Sequence, residues 1–283
     1  MNDTSVFVQT HVYFKKVFRI SMREKAWKYL IFAGIISSIV ALIVGPDMYK
    51  NFDSTNSGFF TLTSACIWIG IFNSIQSVCK EHEIIRAEYR QGMKMSSYIF
   101  AHVLWQALLC LAQAGVIFGI CCIFMSFEKS AYLLISPYPE NFITIYLLTF
   151  GAAVLGLMIS SISGTPTTAM TIMPFVLIVQ LVMGGVLFEL KDASEWFSYV
   201  TLSKWGMSAF GSESDLNNFR LALEETLHEQ QVIPEQVALP LVVNDFYKHE
   251  IFRLFAAWGA CAGITVFNLI VSIFALKIKN RDS

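Results

Sequence analysis

Charge is scarce in this 283-residue chain: Asp, Glu, Lys and Arg supply 14% of it, against 55% hydrophobic residues. A soluble domain carries about 25% charged residues, so an ordinary water-soluble fold is excluded. Twenty basic and twenty-one acidic residues leave a net charge of −1, with no basic block to hold nucleic acid. CxxC pairs are missing too. The six cysteines (Cys66, Cys79, Cys110, Cys121, Cys122, Cys261) lie in or beside apolar runs and read as small core residues, not as a disulfide framework or metal site. There is no G-x-x-x-x-G-K-S/T loop to cradle a nucleotide's phosphates, and no HExxH, G-x-S-x-G or EF-hand sequence. His11, His82, His102, His228 and His249 are scattered, so no catalytic residue and no metal or cofactor site of this chain's own is expected.

What is present is length in the apolar runs. Thr61–Val78 and Met95–Phe127 contain no Asp, Glu, Lys or Arg, and a bilayer core is crossed by roughly 20 apolar helical residues. Six spans are placed, at Trp27–Val44, Gly58–Val78, Ser96–Phe127, Phe142–Ser163, Thr165–Phe188 and Ile251–Leu276. The fold class is therefore an all-α integral membrane protein. Acidic residues are absent from all six spans, and lysine and arginine occur only in their first turns, at Lys28 and Arg253. A charge kept at a helix centre costs about 2.5–3.5 kcal/mol on insertion scales and usually marks an ion or proton route. Its absence argues against a proton-coupled antiporter or a cation channel and leaves an apolar or amphipathic cargo, or a pathway formed between subunits. Polar residues within the spans are mild (Asn73, Gln76, Gln106, Gln113, Gln180, Asn268) and read first as hydrogen-bonding glue between helices. Trp68 and Phe72, one turn apart beside Asn73, are packing residues by default or else the lining of a cavity.

Around the spans the chain divides into four parts. Residues 1–26 form an amphipathic segment in which Phe7, His11, Phe14 and Phe18 share one helical face and Lys15, Arg19 and Arg23 another, as suits a helix lying in the headgroup plane. That segment is long and basic, unlike a secretory leader. Residues 27–188 hold five spans, with a charged connector, Cys79–Lys94, between the second and third. Residues 189–250 make an acidic segment whose aromatic start, Trp196–Met207, is too short to span and suits a re-entrant piece; a polar helix is expected over Ser214–Gln231. Residues 251–283 carry the last span and a basic tail. Lysine and arginine collect in the N-terminal segment, the Cys79–Lys94 connector and the tail, which places all three on the cytoplasmic side. Ser160–Pro166 makes a tight hairpin with Pro166 in a helical first turn. The glycine pair in Met183-Gly184-Gly185-Val186-Leu187 allows either a helix break or a close helix contact.

This arrangement resembles the transmembrane domain of G-subfamily-type ABC exporters, the ABC-2-type permease or type V exporter fold. Glu81…Glu88-Tyr89…Gly92…Ser96-Ser97-Tyr98 is similar to that family's E-x6-E-Y-x2-G…S-S-Y coupling region, with one residue fewer before the Ser-Ser-Tyr. Met183–Leu187 stands where the family has F-S-G-L-L, and Trp196…Tyr199…Trp205-Gly206 resembles its re-entrant W…Y-x5-Y-G. The resemblance implies a coupling helix within residues 80–92, with Lys80, Glu81, Arg86, Glu88, Tyr89, Arg90 and Gly92 meeting an ATPase. It implies a substrate path lined by Cys66, Ile69 and Phe72 of span two and Ile178 and Leu181 of span five, beneath an apolar plug of Val186 and Leu187. Family members often carry a Phe and an Asn where this chain has Ile69 and Cys66. The implied partners are a separate ABC ATPase subunit that binds ATP and Mg, a second permease copy in a homo- or heterodimer, and membrane lipids. The implied setting is a bacterial plasma membrane, since the external segment has no cysteines.

Two readings from other classes stand beside this one. A non-transporting sensor, immunity protein or scaffold would act through the acidic external segment. An intramembrane enzyme would need His, Asp, Glu or Ser/Lys groups converging at one depth, which the sequence does not supply.

Overall fold

The computed structural model describes residues 5–125, 131–188, 190, 193–218 and 244–281. Among these, every regular element is helical, and six helices are long and apolar enough to cross a membrane. The chain is a multi-pass membrane protein. Most of the expected polar helix over Ser214–Gln231 lies outside the described residues.

Helix α1 (Val6–Arg23) is amphipathic, with Ser5 capping its start, and α2 (Trp27–Val44) has the bounds expected of the first span. Helix α3 (Phe52–Ser74) begins six residues before the expected Gly58, because the Asn51 side chain accepts the Ser54 N–H at 2.8 Å. A short turn, Cys79–Glu81, leads into α4 (His82–Arg90), the charged connector helix. Helix α5 (Met95–Phe124) is 30 residues, and α6 (Pro137–Ile162) starts five residues before the expected Phe142. There Ser136 caps the helix and Pro137 fills its first turn. Helix α7 (Pro166–Met183) stops five residues before the expected Phe188: Gly184 ends it and Gly185 takes φ +75°, a region that favours glycine. The glycine pair is thus a break. Helices α8 (Ala193–Ser198) and α9 (Leu202–Glu213) follow, and α10 (Ile251–Arg281) closes the chain.

The centre of the bundle is the pair α3 and α6, with α10 packed on α6 and α9 wedged among α3, α6 and α10. The α3–α6 contact depends on two glycines. A Cβ on Gly70 would fall on the Thr149 carbonyl, and one on Gly156 would fall on the Ser74 hydroxyl and 2.8 Å from the Ile71 carbonyl. The backbones are close enough for Ser74 Oγ to donate to the Ala153 carbonyl at 2.5 Å. Small residues that let backbones meet are the usual basis of helix association in lipid. Helix α9 is too short at 12 residues to cross a bilayer and is almost wholly buried. Its first turn is tied to α7, where Gln180 Oε1 accepts the Ser203 N–H at 3.2 Å.

Candidate functional site

Two polar assemblies stand out, one at each end of the bundle. At the first end, α4 is fastened on three sides. Ile85 points inward and is fully buried with Val78, Met93, Tyr98, Ile99, Leu157 and Leu276. Glu88 pairs with Lys16 of α1 at 2.6 Å. Tyr13 of α1 also hydrogen-bonds Glu88; burial first, and then the Glu88 charge and that bond, push its phenol up to about 12. Tyr98 of α5 donates to Glu81 Oε2 at 2.9 Å. Farther along α1, Gln9 Nε2 donates to the Gly92 carbonyl at 3.3 Å, Gln9 Oε1 accepts the Lys94 N–H at 3.0 Å, and Ser97 Oγ donates to the Val6 carbonyl at 3.2 Å.

Gly92 makes this corner possible. With φ +98° it sits just past the end of α4, where its N–H reaches the Tyr89 carbonyl and the Met93 N–H reaches the Glu88 carbonyl. That is the paired hydrogen-bond pattern of a left-handed helix stop. It turns the chain directly into α5. On α4's other flank, Ser160 Oγ of α6 accepts both the Val78 and Cys79 N–H groups, at 3.0 and 3.1 Å. Helix α4 is therefore fixed to α1, α5 and α6 at once.

This packing sorts the expected coupling residues. Glu81, Glu88 and Tyr89 face into the protein and hold α4 in place. Arg86 is half-buried, its Nε without a partner. Lys80, Arg90 and Gly92 are exposed. Glu83, Ile84 and Ala87 complete that exposed face, and Ile84 keeps 49% of its surface free although it is aliphatic. The family resemblance did not single out these three. The spacing 80, 83, 84, 87 marks one helical stripe in the sequence, and the packing shows that this stripe is the one turned outward.

The expected path residues do not form one group. Cys66 is fully buried in the protomer core. Ile69 and Phe72 line a cleft of about 420 Å³ among α1, α2, α3 and α5. Ile178 is exposed on the outside of α7, beside Phe175 and Val179. Leu181 shares a shallow groove between α3 and α7 with Ser64 and Trp68. Beyond the break after α7, Val186 rests on the core and Leu187 is exposed. Most of the mild intramembrane polar groups do act as glue. Asn73 Nδ2 donates to Gln113 Oε1 at 2.6 Å, and Gln113 Nε2 reaches both Asn73 Oδ1 and the Tyr29 carbonyl at 3.1 Å.

At the opposite end, Trp258 Nε1 of α10 donates to Thr144 Oγ1 of α6 at 2.7 Å, and Thr144 donates to Glu213 Oε1 of α9 at 2.5 Å. Glu213 is fully buried, and its other oxygen has no partner. Burial, and secondarily the charge of Glu140, raise its carboxyl well above the usual range, against the Thr144 bond. Glu140, also buried, accepts the Leu133 and Leu134 N–H groups. Among the described residues no group of three His, Cys, Asp or Glu side chains converges to hold a metal ion.

The model of the ABC-2 type transporter family matches residues 9–212. The chain belongs to the ABC-2 type transporter family. The match runs from within α1 into α9 and takes in most of both polar assemblies; Val6, Glu213 and Trp258 lie outside it. Among curated proteins, an ABC transporter ATP-binding/permease protein of Mycobacterium tuberculosis is 24% identical over 158 residues, 55% of this chain and 18% of that protein. The matched part thus spans under a fifth of that relative. As a member of that family, the chain carries a transporter membrane domain.

Proposed function

We propose that this chain is the permease subunit of an ATP-driven exporter that moves a hydrophobic or amphipathic molecule out of the cytoplasm or inner leaflet. Two copies, or this chain and a related permease, would face each other through α3 and α7. A separate ATPase subunit would bind ATP and Mg and drive them. With no phosphate loop in the sequence, nucleotide chemistry belongs to that partner.

The observation that carries the reading is the division of α4 into two faces. Its inner face is held by Lys16–Glu88, Tyr98–Glu81 and buried Ile85. Its outer face offers Lys80, Glu83, Ile84, Ala87 and Arg90 to a partner. A mostly polar surface suits a contact made and released each cycle. A push on that face moves α4 as a unit with α1 and the start of α5. Through Ser160 it also reaches α6, and through the Gly70–Gly156 contact it bears on α3. Helix α3 presents Trp68 and Phe72 outward, and α7 presents Phe175, Ile178 and Val179; the two copies would line their shared path with these. Val186 and Leu187, past the glycine break, would close it. The lysine and arginine distribution supports a cytoplasmic position for α1, α4 and the C-terminal tail, where an ATPase would reach them.

The test is reconstitution. The tagged chain is purified from its source with whatever co-purifies, placed in proteoliposomes, and assayed for ATP hydrolysis with and without the Ile84→Asp change. Hydrolysis that needs the chain and falls at least fivefold in Ile84→Asp is the expected result. No nucleotide-hydrolysing partner, or activity indifferent to the α4 face, would favour a scaffold or sensor acting through residues 189–250.

A further inference from the structure

The cleft among α1, α2, α3 and α5 has features that a void left by imperfect packing would not have. Its volume, about 420 Å³, lies within the 300–1,000 Å³ of small-molecule sites. Two of its polar lining groups are deeply buried and incompletely satisfied. His102, 4% exposed, has an Nε2 without a hydrogen-bond partner, and Gln106, 1% exposed, has an Oε1 without one. Gln106 Nε2 is already engaged by the Asn73 carbonyl at 3.4 Å, which fixes the amide with its oxygen left over. Buried polar atoms are nearly always paired, and each one left unpaired costs about 1–3 kcal/mol. Two on one cleft wall call for a ligand that supplies the missing bonds.

The cleft is also graded along its length. Its polar end lies beside α1 and the first turn of α2, the level marked by the Gln113 bond to the Tyr29 carbonyl. Its rim there holds Glu24, Lys80 and Glu81. One and two turns farther along α2 come Phe32 and Ile36, faced by Phe72 and Trp68 of α3. Helix α1, amphipathic and carrying Lys15, Arg19 and Arg23, lies where headgroups would lie. A molecule that fits must therefore be polar at the α1 end and apolar toward the bilayer centre, which is the orientation of an inner-leaflet lipid. Gln106 Oε1 can only accept, His102 Nε2 donates or accepts according to tautomer, and the rim has two carboxylates to one ammonium. An anionic phosphate is disfavoured by that balance. A hydroxyl, which both donates and accepts, satisfies every group.

We propose that this cleft binds one inner-leaflet lipid with a neutral, glycerol-type head, its free hydroxyls on Gln106 and His102 and its acyl chain between Phe32, Ile36, Trp68 and Phe72. The site lies within one protomer and is complete without a second copy. It shares Trp68 and Phe72 with the path proposed above, but its test is separate, because binding requires neither ATPase nor nucleotide.

The test uses the purified chain alone in phosphatidylcholine nanodiscs, with a monoacylglycerol carrying a diazirine in mid-chain. After irradiation the label should map to peptides holding Phe32, Ile36, Trp68 or Phe72. The fatty-acid methyl ester with the same diazirine, which has no hydroxyl, should label those peptides at least fivefold less, as should the matching lysophosphatidic acid. Gln106→Leu should cut monoacylglycerol labelling at least fivefold; it also gives up the long Nε2 bond to the Asn73 carbonyl, so its thermal midpoint is measured alongside. Ile36→Trp, which fills the apolar end, should do the same and decides the matter if Gln106→Leu does not fold. Equal labelling by the methyl ester would mean an apolar void only and would overturn the proposal. So would stronger labelling by lysophosphatidic acid, label confined to other helices, or labelling unchanged in both variants.

Discussion

Glu88 is where the fastening of α4 can be broken with least damage elsewhere. Its pair with Lys16 at 2.6 Å is about 70% shielded, with side chains 27% and 30% exposed, and Tyr13 hydrogen-bonds the same carboxylate. Fully exposed ion pairs contribute about 0–1 kcal/mol, whereas hydrogen bonds to charged groups contribute about 1.5–3 kcal/mol. Partial exposure places the loss in Glu88→Ala near 1.5 kcal/mol. The other ties between α1 and the α4–α5 side are neutral: hydrogen bonds through Gln9 and Ser97, and apolar contacts such as Tyr13–Tyr98 and Phe18–Trp105. The opening equilibrium of α1 should therefore rise about tenfold, since about 1.4 kcal/mol is a factor of ten. Hydrogen–deuterium exchange of the chain in nanodiscs reads this directly: amides of Val6–Arg23 should exchange about tenfold faster while those of α6 keep their rates. Lys16→Glu with Glu88→Lys should recover a large part of the protection. Unchanged α1 exchange in Glu88→Ala, or acceleration spread evenly over all helices, would refute the idea that this pair holds α1 to α4.

Other consequences follow from single contacts. Gly156→Val puts side-chain atoms onto Ser74 and the Ile71 backbone; overpacking of this kind costs about 1–3 kcal/mol or more, read as a lower thermal midpoint or loss of membrane-inserted protein. Gly92→Ala forces a Cβ onto φ +98° and should lower the midpoint by the equivalent of about 1–2 kcal/mol, with faster exchange at the C-terminal end of α4. Glu213 keeps a proton when folded that an unfolded carboxyl releases above about 4.5. The folded form thus binds more protons, and stability should fall as pH rises from 4.5, by up to about 1.4 kcal/mol per pH unit. Glu213→Gln should flatten that dependence in thermal scans between pH 4.5 and 8.

The helices were legible where one signal dominated. Trp27–Val44 is uninterrupted and apolar, and its bounds were found to the residue. They were misplaced where caps and glycines overruled hydropathy. Apolar residues continue through Phe188, yet the backbone at Gly185 ends α7. Glu140 and Asn141 look like loop residues but lie within α6, because Leu133 and Leu134 satisfy the Glu140 carboxylate and the Pro137 carbonyl accepts Asn141 Nδ2. On α4 the charged positions were evident, but not which of them turn inward. Ile84 and Ile85 are neighbours in sequence and lie on opposite faces, and only tertiary packing reveals that the exposed one is Ile84. His102 and Gln106 gave no sequence signal beyond mild polarity, since an orphaned atom becomes visible only once its neighbours are placed.

The central claim is that the outer face of α4 receives the drive of an ATPase on another chain. Site-specific photo-crosslinking in cells tests it most directly, with a benzoylphenylalanine placed singly at Ile84, Ala87 or Arg90 and, as inward controls, at Ile85 or Tyr89. The account predicts that an ATP-binding chain is captured from 84, 87 and 90 and not from 85 or 89. Capture of no such chain from the outer positions, or equal capture from the inward ones, would contradict it.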